Sequence, residues 1–167
     1  MSGVQHISSL TKIPLCGCIR FFTACNLTAS NETEQYIKVN TSTLYSLEEN
    51  KNIDLDENFL IINYWASWCL ECIEEHELLL SLAELEKFNN SVLMVSFQDN
   101  VNSSIDFLNN YGYGNIIYAV DNNSKLAIDS GVFGVPETHL VKDGVIIKKF
   151  IGPLNLVNIE EIINNFP

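Results

Sequence analysis

The strongest constraint on this chain is one junction. The run Phe59 to Trp65, β-branched and aromatic with little polarity, leads through Ala66-Ser67-Trp68 to Cys69 and Cys72, which are separated by two residues. Such a run reads as a buried strand. Beyond Cys72, the apolar residues Ile73, Leu78, Leu79, Leu82, Leu85 and Phe88 recur at roughly helical spacing, which predicts a long amphipathic helix from Cys69 to Phe88. The thiols therefore fall where a strand gives way to a helix. A thiol at that point meets free amide N–H groups and the positive end of the helix dipole, and both favour thiolate.

The remaining elements follow in order. Tyr36 to Val39 alternates and predicts a short strand, and Thr43 to Asn50 a turn region. After the helix, Val92 to Phe97 and Ile116 to Val120 predict strands, the first most simply parallel to Phe59–Trp65, with helices at Ser103–Asn110 and Ser124–Asp129. Gly131-Val132-Phe133-Gly134-Val135-Pro136 forces a bend before a strand at Thr138–Val141. Lys142-Asp143-Gly144 is a hairpin signal, because Asp-Gly accommodates positive φ at low cost. Val145–Ile151 returns antiparallel, and Asn158–Phe166 makes a final amphipathic helix. Alternating strands and helices closed by a hairpin imply an α/β fold, a mixed central sheet with helices on both faces.

Charge and composition narrow the function. The formal net charge is −12 and the nine basic residues are scattered, so no basic patch exists for phosphate and nucleic acid is excluded as a partner. All 21 acidic residues lie between Glu32 and Glu161, which sets the first 31 residues apart as an acid-free leader. With Lys12, Arg20 and the short apolar segment that follows, this leader (1–31) resembles an export signal or membrane anchor, and Phe22-Thr23-Ala24-Cys25 resembles a lipoprotein processing site. Arg20 interrupts the apolar run, where a span wants about 18 uninterrupted apolar residues, so a disordered tail is the third reading. The expected domain is 32–167, long enough to bury a core without staples.

Three residues on a helix make about one turn, so the sulfurs of Cys69 and Cys72 approach closely enough to bond. A Cys-x-x-Cys pair alone serves redox chemistry, metal binding or inert packing. Zinc wants four ligands, whereas the other cysteines, Cys16, Cys18 and Cys25, sit in the leader, and His6, His76 and His139 show no ligand spacing. The expectation is a redox pair with no metal and no cofactor beyond the cysteines themselves.

Four motifs in order carry a resemblance: Trp65-Ala66-Ser67-Trp68-Cys69 with Cys72; Glu75-His76; Gly131-Val132-Phe133-Gly134-Val135-Pro136-Glu137-Thr138; and Ile151-Gly152-Pro153-Leu154. Together they resemble the CcmG/DsbE branch of the thioredoxin-like thiol-disulfide oxidoreductases, near the TlpA and ResA group, over residues 32–167. The resemblance implies a thioredoxin-like fold with an inserted βα element within Asn100–Asp121. It further implies a periplasmic disulfide reductase, tethered to the inner membrane, acting in cytochrome c maturation. Its partners would be apocytochrome c or its maturation chaperone, and a membrane thiol-reductase as electron donor. A broader envelope thiol reductase or isomerase, and a redox-idle binding module, are the alternatives.

Residue roles follow from chemistry and resemblance together. Cys69, nearer the helix end, is the expected nucleophile, and Cys72 resolves the mixed disulfide. Trp68 meets the incoming chain. Val135-Pro136 resembles the family's cis-proline turn, whose backbone pairs with the substrate. Asn63 stands six residues before Cys69, where thioredoxins carry a buried aspartate, and an amide handles no protons. The acid–base role then passes to Glu75, one helical turn after Cys72, with Glu137 as second candidate and part of the substrate-binding turn. His76 is expected to pack or cap, and His139 to be a strand position without chemistry. Glu71, between the cysteines, opposes thiolate formation and biases the pair toward the reducing side.

Overall fold

In a computed structural model, which describes residues 36–53, 55 and 57–165, the apolar run forms strand β2, Phe59–Trp65, with all seven residues buried. It is buried on both faces because it lies inside a sheet, which is why its sequence is continuously apolar rather than alternating. β3 (Val92–Ser96) lies parallel on one side and β5 (Glu137–Lys142) antiparallel on the other. β4 (Ile117–Asp121) extends the sheet parallel to β3, and β1 (Leu44–Ser46) pairs antiparallel with β4 at that edge. β6 (Val145–Ile151) closes the other edge, giving the order β1-β4-β3-β2-β5-β6. The hairpin joining β5 to β6 turns at Asp143 and Gly144, with φ of 50° and 74°, the conformation the Asp-Gly pair predicts.

Among the described residues, four helices cover the two faces: α1 (Leu70–Ala83), α2 (Val101–Tyr111), α3 (Lys125–Asp129) and α4 (Leu156–Asn165). α1, α2 and α4 bring Leu79, Leu82, Phe107, Leu108 and Ile162 into one core layer with Trp65, Met94 and Phe150. α3 brings Leu126 and Ala127 into the opposite layer with Leu60, Ile62, Tyr64 and Val95. Each such large apolar side chain stabilises the fold by roughly 1.5–3 kcal/mol when removed from water. α2 and β4 occupy the segment expected to hold the inserted element.

Several boundaries differ from the sequence reading. The alternation at Tyr36–Val39 yields an isolated bridge, Lys38 with Val145, and not a strand. The edge strand falls instead at Leu44–Ser46, inside the expected turn, because Leu44 is fully buried opposite Asp121. α1 ends at Ala83, and Glu86–Phe88 is a separate 3-10 turn that returns Phe88 to the core. α2 starts earlier than expected, capped by Asn100, whose side chain accepts from the Asn102 N–H at 2.9 Å. α4 likewise starts at Leu156, because Asn155 accepts from Val157 and Asn158 while Asn158 accepts from the Asn155 N–H at 3.1 Å. The acid-free leader lies outside the described residues. Among those described, no helix is long and apolar enough to cross a membrane.

Candidate active site

Cys69 and Cys72 are joined as a disulfide, with their Cα atoms 5.2 Å apart. Cys69 is the N-cap of α1, and its sulfur accepts the Cys72 N–H at 3.1 Å. The sulfur thus occupies the place where a serine or aspartate oxygen usually satisfies a free helix N–H. Its residue is 4% exposed and Cys72 1%.

The turn that delivers Cys69 leaves the end of β2. It is closed by the Cys69 N–H on the Ala66 carbonyl at 3.2 Å. Asp99, in the loop between β3 and α2, grips it from the side: its carboxylate accepts the Ser67 N–H at 2.6 Å and the Ser67 hydroxyl at 3.0 Å. Trp68 stands outward, 61% exposed, and its indole N–H reaches the Gln98 carbonyl at 3.4 Å. Asp99 and its contacts were not foreseen from the sequence, which holds no local signal for a pairing of residues 32 apart.

On the α1 face of the sheet, Glu75 is 1% exposed. Oε1 accepts from the Asn63 amide at 2.8 Å, and Oε2 from the Leu154 N–H at 2.7 Å. Asn63 also donates to the Thr138 hydroxyl at 2.9 Å. Burial pushes the Glu75 carboxyl up from its ordinary 4.5 to about 7, and the Leu154 and Asn63 hydrogen bonds only partly offset it. The acid predicted one turn beyond Cys72 is therefore buried, bonded to the amide that replaces the usual aspartate, and held where its protonation changes near neutral pH. His76, also buried, donates through Nε2 to the Gly112 carbonyl at 2.9 Å, the packing and capping part expected of it.

Glu137 lies elsewhere. The register sets Asn63 opposite Thr138 and Tyr64 opposite Glu137, so the two glutamates belong to opposite faces of the sheet. Glu137 accepts from His139 Nε2 at 2.6 Å and has the Lys149 ammonium at 3.8 Å. His139 is pushed down by burial, partly offset by Glu137, and its ring meets the Tyr64 ring edge-on at 5.0 Å. His139 is thus a strand position of β5, as expected, and its buried ring is hydrogen-bonded to Glu137. Lys149, also unforeseen, donates to the Ser130 and Gly131 carbonyls at 2.5 and 3.4 Å, which ties β6 to the loop before β5.

That loop ends in a cis peptide bond, Val135–Pro136. Pro136 is buried at the start of β5, beside the end of β2 from which the cysteine turn departs, and its carbonyl accepts the Gly152 N–H at 2.9 Å. A groove of about 470 Å³ opens along Gly131, Phe133, Val135, Pro136 and Ile151, with Phe133 97% exposed. The site therefore gathers Cys69, Cys72, Trp68, Val135 and Pro136 at one end of the sheet, Glu75 behind them, and Glu137 across the sheet. Among the described residues no three His, Cys, Asp or Glu side chains converge to hold a metal.

Known proteins are similar to this chain. A thiol:disulfide interchange protein CycY from Rhizobium leguminosarum bv. viciae is 36% identical over 102 residues, 60% of this chain and 54% of that protein. A thiol:disulfide interchange protein DsbE from Vibrio cholerae is 35% identical over 103 residues, 61% of this chain and 54% of that protein. The chain spans about half the length of these curated relatives. The solved structure of MTB dsbF, in mixed oxidized and reduced forms, superposes with a TM-score of 0.64 at 18% identity, covering 77% of this chain and 99% of that one. The fold is thioredoxin-like, with a six-stranded mixed sheet. The Redoxin family model covers residues 36–163, from the bridge before β1 into the last helix, and the chain belongs to the Redoxin family.

Proposed function

We propose that this protein is a thiol-disulfide oxidoreductase that works as a disulfide reductase through Cys69 and Cys72. The observation that carries the reading is the Cys69–Cys72 disulfide at the N-terminus of α1, with the Cys69 sulfur on the Cys72 N–H at 3.1 Å. A helix N-terminus stabilises a thiolate, and the thiolate is the attacking species. In the reduced protein, Cys69 attacks one sulfur of a partner disulfide: the partner S–S bond breaks, a mixed disulfide forms and one partner thiolate leaves. Cys72 then attacks the Cys69 sulfur and releases the second partner thiolate, leaving the partner reduced by two electrons and Cys69–Cys72 oxidised. Glu75 takes up the Cys72 proton, a role suited to a carboxyl held at about 7. Trp68, Val135 and Pro136 line the approach, Glu137 borders the groove at Pro136 from the other face of the sheet, and the exposed indole and that groove support an extended peptide there.

The finer reading is a role in cytochrome c maturation in the periplasm, tethered to the inner membrane. The partner is apocytochrome c or its maturation chaperone, and a membrane thiol-reductase restores the dithiol. Similarity to the interchange proteins CycY and DsbE supports it. A Cys72→Ser variant stalls the first step, so a covalent complex with a Cys-x-x-Cys-His peptide disulfide is the expected product. Equal reduction of insulin and of that peptide by the wild type would point to a general reductase instead. Full complementation by Cys69→Ala would overturn the redox assignment in favour of a binding module.

A further inference from the structure

We propose that Asp99 is a positioning residue that, through Ser67, fixes the turn on which Cys69 is presented. This rests on reading Cys69 as the attacking thiol, and it assigns a reacting geometry to a residue outside the cysteine motif. The Asp99 carboxylate accepts four hydrogen bonds: the Ser67 N–H at 2.6 Å, the Ser67 hydroxyl at 3.0 Å, the Ser104 hydroxyl at 3.0 Å and the Asn100 N–H at 2.8 Å. Two come from the cysteine turn and two from the head of α2. Ser104 is itself fully buried and hydrogen-bonded to Ser96 of β3 at 2.8 Å, so the grip is anchored in the sheet.

The backbone is arranged to aim the carboxylate. Gln98, immediately before Asp99, has φ of 47°, a left-handed conformation that a non-glycine residue adopts only at a cost. It follows the Phe97 N–H on the Trp65 carbonyl at 2.8 Å, the last bond joining this loop to β2. The same loop offers the Gln98 carbonyl to the Trp68 indole at 3.4 Å. The Ser67-Trp68-Cys69 turn is thus held on consecutive residues by consecutive residues, Ser67 by Asp99 and Trp68 by Gln98. A carboxylate suits the place because all of its partners here are donors, and charge-assisted hydrogen bonds are about twice as strong as neutral ones. An amide of the same shape presents one donor to that set and loses acceptance from Ser67.

The test compares Asp99→Asn, Asp99→Glu, Ser67→Ala and the double variant Ser67→Ala/Asp99→Asn. Each reduced protein is alkylated with iodoacetamide across pH, which gives the Cys69 ionisation and its limiting rate separately. Misplacement of an attacking group costs roughly tenfold or more in rate, so both Asp99 variants are expected to change the limiting rate about tenfold. Ser67→Ala, which keeps the backbone bond, should change it about threefold, with the double variant matching Asp99→Asn because both act through one contact. Trp68 emission should shift in step. A wild-type limiting rate in Asp99→Glu would show that only charge matters and overturn the proposal, as would multiplicative effects of the two single variants. Should thermal unfolding show that the Asp99 variants do not fold, Ser67→Ala decides alone: a wild-type rate overturns the proposal and a threefold change supports it. Exchange of the wild type with glutathione is measured alongside. Its absence would sink the redox reading, while alkylation still reports on Asp99.

Discussion

The two faces of the sheet treat a buried glutamate in opposite ways. On the α1 face, the partners of Glu75 among the described residues are neutral, the Asn63 amide and the Leu154 N–H, and burial pushes its carboxyl up to about 7. On the α3 face, Glu137 has the Lys149 ammonium at 3.8 Å and the His139 ring at 2.6 Å. A buried carboxylate needs a counter-charge or it takes up a proton. One face sets a cation beside its glutamate, next to the cis-proline loop. The other withholds it and leaves a group that gains and loses a proton under ordinary conditions. An acid that titrates near neutral pH is thus produced here by its neutral surroundings.

The largest effect expected from this contrast is in the pH dependence of stability. Glu75 has a raised pKa in the folded oxidised protein, so its contribution is fully present below pH 4.5 and is lost as pH rises to about 7. The loss amounts to about 3 kcal/mol. Chemical denaturation across that range should show Glu75→Gln lacking this decline. His76 and His139, both pushed down by burial, contribute the opposite slope, with stability lost as pH falls below 6.5. Both are present in either protein, so they cancel in the difference. A pH-independent difference would mean that burial does not raise the Glu75 carboxyl.

Removing the cation from the other face comes next. Lys149→Met leaves Glu137 buried with His139 alone and frees the Ser130 and Gly131 carbonyls, for a cost of roughly 2 kcal/mol measured by urea unfolding. A neutral result would mean that Lys149 is not the counter-charge. The smallest effect is expected at Thr138→Val, which keeps the shape but leaves one Asn63 amide proton unpaired in a fully buried place. About 1 kcal/mol should be lost, with little change in the pH slope that Glu75 sets.

Features that announce themselves locally were legible in the sequence. The apolar run of β2, the helix behind Cys72, the Asp-Gly hairpin and the turn ending in Pro136 each carry their cause within a few residues, and the structure has them at or near the predicted positions. Glu75 was found because one helical turn is a fixed spacing. What escaped depends on register and on long-range pairing. The separation of Glu75 from Glu137 follows from Tyr64 lying opposite Glu137, which strand periodicity cannot supply until the partner strand is known. The three-residue strand β1 is too short to show alternation, and Leu44 earns its place only by contact with β4. Asp99 sits in a polar loop whose neighbours give no sign that Ser67 lies beside it.

The bond from the Leu154 N–H to Glu75 has a practical bearing. Leu154 belongs to the short stretch between β6 and α4, so the segment after β6 supplies a donor to the acid behind the cysteines. Trimming the chain after β6, or fusing a partner that pulls α4 away, removes that donor from a carboxyl already short of them. The oxidation chemistry of the thiols would then drift in a protein whose cysteine motif is untouched. A fusion that disturbs α4 is therefore not neutral ground, and a form shortened after β6 would be a different reagent.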